Sequence, residues 1–225
     1  MKKYIKPTLE IVGIGGPNIM AASGSAATAS SSKRFNMGYI HSLARNIVLD
    51  TLHRQLDIDI EDIHSNSTFS KDLGCDGLDM AELVMSLEQV FDIIIEDSII
   101  MDDDTTINER FTVLSMINHC ADKMEEELIT AGGASLNTNY IHSLVQNIVL
   151  TKLQTLSGEE LENIHPNSTL FPDLGCDELD RVDLLMSLEG TLGITLDESI
   201  ASGSATVQLI IDHCANKTES CMRQL

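Results

Sequence analysis

Apolar residues recur at helical spacing in two stretches of the chain. Within each stretch they fall three or four positions apart, which places them on one face of a helix. The first stretch contains Ile40, Leu43, Ala44, Ile47, Val48 and Leu52, and the second contains Ile141, Leu144, Val145, Ile148, Val149 and Leu153. The pattern predicts two helices of the same design, each with one face against a core.

The two stretches belong to an internal duplication. Residues 39–43 read YIHSL and recur 101 residues later at 140–144, and this offset holds without a gap as far as residues 98–99. Residues 119–120 then match residues 213–214 at an offset of 94, so the second copy is seven residues shorter where the first reads IMDDDTTINERF. Such a repeat indicates two domains of one fold.

Each copy predicts two further helices after a polar loop. The second helix has Asp76 or Asp177 at its N-cap, with Asp79 or Asp180 three residues later. Its apolar pattern ends near Phe91 in the first copy and at the equivalent leucine in the second. The last helices are predicted over 107–121 and 204–215, with a short third helix or a loop before each. We therefore expect an all-α fold of two small bundles, each able to fold alone.

Composition shifts divide the chain into five segments. The start of the chain is Ser- and Ala-rich over residues 21–34, and the region between the copies contains Gly132-Gly133. The segments are a flexible N-terminal tail (1–36), the first domain (37–124), a short linker (125–137), the second domain (138–219) and a C-terminal tail (220–225). The double glycine is interpreted as an interdomain hinge, and a leader-processing site is the alternative.

The expected compartment is the cytoplasm. The first residues have a basic start and an apolar middle, but Glu10 and the break at residues 15–17 interrupt this outline of a signal peptide. No stretch reaches the length of a membrane span, and the chain has an odd number of cysteines, 5, without a dense framework. Export or processing of the tail is the less favoured alternative.

The second helix carries two apolar stripes, whereas a core needs only one. The first stripe, assigned to the core, contains Leu83, Val84, Leu87, Val90 and Phe91. The second stripe lies roughly opposite and contains Leu78, Ala81 and Met85, flanked by Glu82 and Glu88. In the second copy it contains Leu179, Val182 and Met186, flanked by Asp183 and Glu189. Two explanations are open: a helix buried on both sides, or an exposed docking strip that is apolar in the middle and acidic at the rim.

The charge of the chain restricts its partners. The formal net charge is -21, so nucleic acid is a poor partner and a basic protein surface is a good one.

Residues 72–88 and 173–189 read DLGCDGLDMAELVMSLE and DLGCDELDRVDLLMSLE. Both closely resemble the acyl carrier protein family, and the similarity extends over residues 39–123 and 139–217. The resemblance implies a four-helix bundle in each copy, with a serine at the start of the second helix that carries 4'-phosphopantetheine. It also implies that acidic and apolar residues of this helix dock onto basic patches of partner enzymes, which favours the docking explanation.

The attachment serine of the family is replaced in both copies. Gly77 and Glu178 stand at its position, and attack on the phosphate of coenzyme A needs a hydroxyl. Glu178 suits the positive end of the helix dipole, so its role can be structural. We therefore expect two degenerate phosphopantetheine positions, no cofactor and no enzymatic activity.

The expected function is that of a scaffold or regulator of enzymes that recognise carriers. The partners are then proteins with basic carrier-docking patches. The predicted docking residues are Asp76, Leu78, Asp79, Ala81, Glu82, Met85, Glu88, Asp177, Leu179, Asp180, Val182, Asp183, Met186 and Glu189. Two alternatives remain: an active carrier modified at a non-standard residue, and a precursor whose carrier-like domains guide processing.

Cysteines and histidines offer two less favoured chemistries. Cys75 and Cys176 precede the second helices, where a helix N-terminus favours a thiolate, although small packed side chains are the simpler interpretation. The histidines and the remaining cysteines lack metal-ligand spacing such as CxxC, so no metal site is expected.

Overall fold

The computed structural model describes residues 35–102, 107–129 and 135–223. The predicted tail up to residue 34 and the Gly132-Gly133 hinge lie outside these residues. Within these residues the chain forms α-helices, short 3-10 helices and isolated β-bridges. These residues contain no β-strand longer than a single bridge. The prediction of an all-α fold with two tandem helical bundles is confirmed.

The two copies contain corresponding helices. The first copy consists of α1 (Met37–Leu56), α2 (Gly77–Phe91), α3 (Asp97–Ile100) and α4 (Val113–Leu128). The second consists of α5 (Thr138–Ser157), α6 (Glu178–Leu192) and α7 (Val207–Arg223). Three 3-10 helices lie at Ile60–Asp62, Leu161–Asn163 and Glu198–Ala201. The last of them occupies the place of α3, so the shorter second copy keeps this element, and its seven missing residues fall between this element and the last helix.

The last helix of each copy lies further along the chain than predicted. Thr112 and Ser115 form a capping box that starts α4, whereas the apolar residues Ile107 and Phe111 reach the core from a loop. Loop residues with buried side chains therefore extended the apparent helical pattern. The helix also continues to Leu128, inside the segment predicted as linker, and α7 continues into the predicted C-terminal tail. The predicted domain boundaries stay a prediction.

The first helices begin and end in the same way in both copies. The side chain of Asn36 accepts a hydrogen bond from the backbone N of Tyr39 at 3.0 Å, and Asn137 caps α5 in the same manner. At the C-terminal end the backbone turns left-handed, at Asp57 with φ 52° and at Gly158 with φ 70°. Aspartate is one of the few residues other than glycine that tolerate this conformation.

The copies pack against each other through what we call the pairing face. It consists of α1 packed on the C-terminal end of α6, α5 packed on the C-terminal end of α2, and the contact of α1 with α5 at Asp50 and Lys152. The hydroxyl of Tyr39 donates to the carbonyl of Leu192 at 2.6 Å, and that of Tyr140 donates to the carbonyl of Phe91 at 2.8 Å. The donors of these two hydrogen bonds differ by the duplication offset of 101 residues, and so do the acceptors, so the copies are related by an approximate two-fold axis. One apolar core runs through both copies.

The ends of the copies follow the same symmetry. The backbone N of Asn137 donates to the carbonyl of Leu128 at 2.8 Å, where α4 is followed by α5. The backbone N of Asn36 donates to the carbonyl of Met222 at the same distance, although these residues are far apart in the chain. Each first helix thus starts against the end of the other copy's last helix.

Candidate docking site on the second helix of each copy

Aspartates define the start of the second helix. The side chain of Asp76 accepts hydrogen bonds from the backbone N of Leu78 at 2.7 Å and of Asp79 at 3.0 Å, and Asp79 accepts from the backbone N of Asp76 at 2.9 Å. Asp177 and Asp180 repeat this capping box at the same distances. Asp76 and Asp177 are exposed and Asp79 and Asp180 are half-buried, and the carboxylates of all four hold the helix start in place.

The first residue of each helix faces open space. A side chain built on Gly77 would meet nothing within 4 Å, and Glu178 is exposed. A group attached at either position would therefore have room. Neither residue carries a hydroxyl, so the residues present at these positions do not fit attachment through a serine.

The second stripe is exposed in the first copy. Leu78 and Met85 are each 68% exposed, and Ala81 is exposed between them. On the opposite side of α2, Leu83 and Leu87 are buried in the core. Of the two explanations that the spacing left open, burial on both sides is excluded, because nothing in the described part of the chain covers these side chains.

The second copy exposes the same positions with different side chains. Leu179, Val182 and Met186 are all exposed on α6. The β-branched valine replaces alanine at the middle of the stripe, so the second copy presents a bulkier apolar surface there.

The acidic rim divides into two kinds of residue. Glu82 and Asp183 are exposed on the surface. Glu88 is half-buried, and its Oε1 accepts a hydrogen bond from the backbone N of Ile95 at 2.8 Å. In the second copy, Oε1 of Glu189 accepts the equivalent hydrogen bond from the backbone N of Leu196 at 2.7 Å. The sequence shows the glutamates but has no signal for this role, because their partner is a backbone amide seven residues away.

One difference between the copies lies beside the stripe and not within it. Met80 is buried at 2% exposure. Its counterpart Arg181 is half-buried, and its Nε donates to the backbone carbonyl of Asp177 at 3.1 Å. The arginine side chain therefore folds back onto the first turn of its own helix, where it binds the carbonyl of the N-cap residue.

The cysteines before the second helices are unsuited to act as thiolates. Burial, followed by the nearby charges of Asp79 and Asp76, raises the pKa of Cys75 to about 11. Burial and the equivalent aspartates also raise the pKa of Cys176. These effects raise the thiol pKa by more than the helix N-terminus lowers it. Cys120 and Cys214 are core residues, and burial raises the pKa of each to about 12.

The first histidine of each copy pairs with the last helix of the same copy. Nε2 of His41 lies 3.0 Å from Oδ1 of Asn118, and Nε2 of His142 lies 3.0 Å from Oδ1 of Asp212. Across the described ranges, no group of three or more His, Cys, Asp or Glu side chains could hold a metal ion. No helix in these ranges combines the length and the apolar character that a membrane crossing requires.

The fold and the site define a class of tandem helical bundles, each presenting an acidic helix with an exposed apolar centre. The family model for the phosphopantetheine attachment site matches residues 46–109 and 147–214, more than half of the chain, and the chain belongs to this family. Similar proteins include an acyl carrier protein of Desulforapulum autotrophicum, 33% identical over 78 residues, and one of Cyanidioschyzon merolae, 30% identical over 81 residues. The alignments cover 35% and 34% of this chain and 97% and 89% of those proteins. No solved structure matches.

The family match corrects the expectation about the cofactor. We expected none, on the grounds that Gly77 and Glu178 replace the serine. That expectation is wrong, because both copies match a family defined by phosphopantetheine attachment, and its relatives are acyl carrier proteins. Phosphopantetheine is therefore the cofactor that the family implies, although these two residues do not fit its attachment through a serine.

Proposed function

We propose that this protein is a tandem member of the acyl carrier family that works by docking and not by catalysis. The second stripe of each copy, together with its acidic rim, binds basic patches on enzymes that recognise carriers. The protein thereby acts as a scaffold or regulator of such enzymes.

The exposure of Met85 is the observation that carries this proposal. A large apolar side chain in the middle of a helix is normally turned toward the core, yet this one is 68% exposed. Exposed apolar groups bordered by charged residues are typical of protein-binding surfaces. Met186 occupies the same position on α6 and is also exposed.

Charge supports a basic partner. The net charge of -21 gives the protein a strong negative field, which attracts a basic surface from a distance. Glu82 and Asp183 stand beside the stripe without a described hydrogen bond or ion pair from their carboxylates. They are placed to meet a positive charge at short range, while the apolar centre contributes contact area.

Binding of the full chain to an immobilised phosphopantetheinyl transferase, an enzyme that recognises carriers, tests the proposal. Reversing the rim charges with Glu82→Lys and Asp183→Lys should weaken binding on the order of tenfold, about 1.4 kcal/mol. The melting temperature should hardly change, because exposed charges contribute little to stability.

Matched controls come from the 3-10 helices. Glu61 and Glu162 are exposed and equivalent in the two copies. Glu61→Lys and Glu162→Lys change the net charge equally and should leave binding almost unchanged. Equal weakening by both sets would reduce the effect to net charge and refute a docking role for the stripe.

Carrier activity is a second candidate function, favoured by the match of both copies to the phosphopantetheine attachment site family. Its test is the intact mass of the chain after incubation with coenzyme A and the transferase. A mass gain of one phosphopantetheine, mapped to a peptide, would establish the protein as a carrier. Because Gly77 and Glu178 replace the attachment serine, the peptide would identify which other residue carries the group.

A further inference from the structure

An ion pair crosses the pairing face. Nζ of Lys152 donates a hydrogen bond to Oδ1 of Asp50, and the lysine side chain is only 7% exposed. Asp50 also accepts from Nε of Arg54 at 3.3 Å, one turn along its own helix. Among the contacts of the described residues, Asp50 is the only acidic partner of Lys152.

This pair breaks the approximate two-fold symmetry of the copies. The positions equivalent to Asp50 and Lys152 are Thr151 and Thr51. Both threonine hydroxyls donate to carbonyls of their own helices, each at 2.8 Å. The symmetric counterpart of the ion pair is therefore a neutral threonine pair, whereas the tyrosine contacts are the same on both sides.

The difference matters when alternative partners are compared. If two first copies met through the same face, Asp50 of each would lie opposite Thr51 and no lysine would be present. If two second copies met, two lysines would be buried opposite Thr151 without an acid. A buried charge without a partner is costly. Burial lowers the pKa of Lys152 and Asp50 opposes this shift, in line with its dependence on that carboxylate.

We propose that the Asp50–Lys152 pair selects the partner across the pairing face, so that a first copy associates with a second copy and not with its like. The tyrosine and apolar contacts supply association without choice, because they are repeated on both sides of the axis. The ion pair discriminates between the possible partners, as buried polar groups do in other self-associating helices.

Charge reversal in the full chain tests this selection. Asp50→Lys and Lys152→Asp each place like charges opposite each other, and the melting temperature should fall on the order of 10 °C. Asp50→Lys should be the more damaging, since Arg54 also loses its acceptor. The double variant should recover most of the loss. A matched control is the reversal of the exposed pair Lys123–Glu126 within α4, which should have little effect.

Tyrosine signals report the pairing itself. The chain has 3 tyrosines and no tryptophan, and two of them, Tyr39 and Tyr140, donate hydrogen bonds across the pairing face. The near-ultraviolet circular dichroism of the single variants should therefore weaken while the far-ultraviolet helical signal persists. It should return in the double variant. A double variant no better than the single ones would overturn the proposal.

Mixing the two single variants tests selection between chains. The first copy of Asp50→Lys complements the second copy of Lys152→Asp, and the remaining two copies keep the natural pair. The mixture should form a two-chain complex, with twice the chain mass of 24.6 kDa, that neither variant forms alone. A mixture that stays monomeric with both weakened tyrosine signals would show that the ion pair stabilises without selecting, and would refute the proposal.

Discussion

Asp72 accepts two hydrogen bonds from Thr68 through a single carboxylate oxygen. The backbone N and the Oγ1 of the threonine each lie 2.7 Å from Oδ2. Asp173 and Thr169 repeat the arrangement in the second copy. These bonds favour the charged carboxylate and lower the pKa of both aspartates below the ordinary value of 3.8.

A lowered pKa makes this loop sensitive to acid. A carboxyl whose pKa is lower in the folded state contributes stability above its unfolded pKa and loses it as the pH falls through the folded value. Asp72→Asn should therefore be less stable than the wild type near pH 7, and the difference should shrink below pH 3.8. Urea unfolding across this pH range measures it. Asp62→Asn, on an exposed 3-10 helix, is the control. A difference that does not change with pH would contradict this explanation.

Gly77→Ser should make the first copy a better substrate for phosphopantetheine transfer. The serine would supply the hydroxyl at a helix start where an added side chain meets nothing within 4 Å. Intact mass after incubation with coenzyme A and a broad-specificity transferase gives the labelled fraction.

Gly77→Ala is the matched control, because it adds the Cβ without the hydroxyl. The serine variant should be labelled more than the wild type, and the alanine variant should not. Equal labelling of all three would mean that another residue accepts the group. Failure of the serine variant would show that the surface around Asp76 no longer suits the transferase.

Loss of either tyrosine hydroxyl should loosen the pairing face. Tyr140→Phe removes the donor to the buried carbonyl of Phe91, and the expected cost is about 1–3 kcal/mol of unfolding free energy. Tyr39→Phe should cost about 1 kcal/mol, since its bond is only partly buried. Denaturant unfolding gives both values. Ser42→Ala, which removes an exposed hydrogen bond within α1, should have a smaller effect.

Alkylation should discriminate among the 5 cysteines. Cys221 is the only one that is not buried, so iodoacetamide near pH 8 should modify it first. Cys75 should react slowly, because a thiol with a pKa of about 11 is almost fully protonated there. Peptide mapping with and without denaturant measures the order. Rapid native modification of Cys75 would contradict the burial seen here.

The second helix was predictable because its signals are local. Asp76 and Asp79 form the predicted capping box, and the helix ends at Phe91 as the apolar pattern indicated. The core stripe also followed from spacing, with Leu83 and Leu87 buried. Only Val84, at the edge of that stripe, is half-exposed. Caps and periodicity involve residues within one or two turns, so a single sequence contains them.

The pairing of the copies was not predictable, because its contacts carry no pattern. Tyr39 and Asn46 lie on the polar side of an amphipathic helix, and their partners are backbone carbonyls at the end of a distant helix. Any residue supplies such a carbonyl. A polar region between the copies suggested independent bundles, and only the three-dimensional arrangement shows that they share one core.

The contact of Asn36 with Met222 is equivalent to the contact of Asn137 with Leu128. The chain connects the two copies directly at the second of these junctions, whereas at the first the two ends meet without a covalent connection. A circular permutation follows from this. A chain that begins at residue 135 and joins residue 223 to residue 35 through a second copy of segment 129–136 would retain both junction contacts. The order of the two copies along the chain is therefore immaterial to the architecture, and only their pairing defines it.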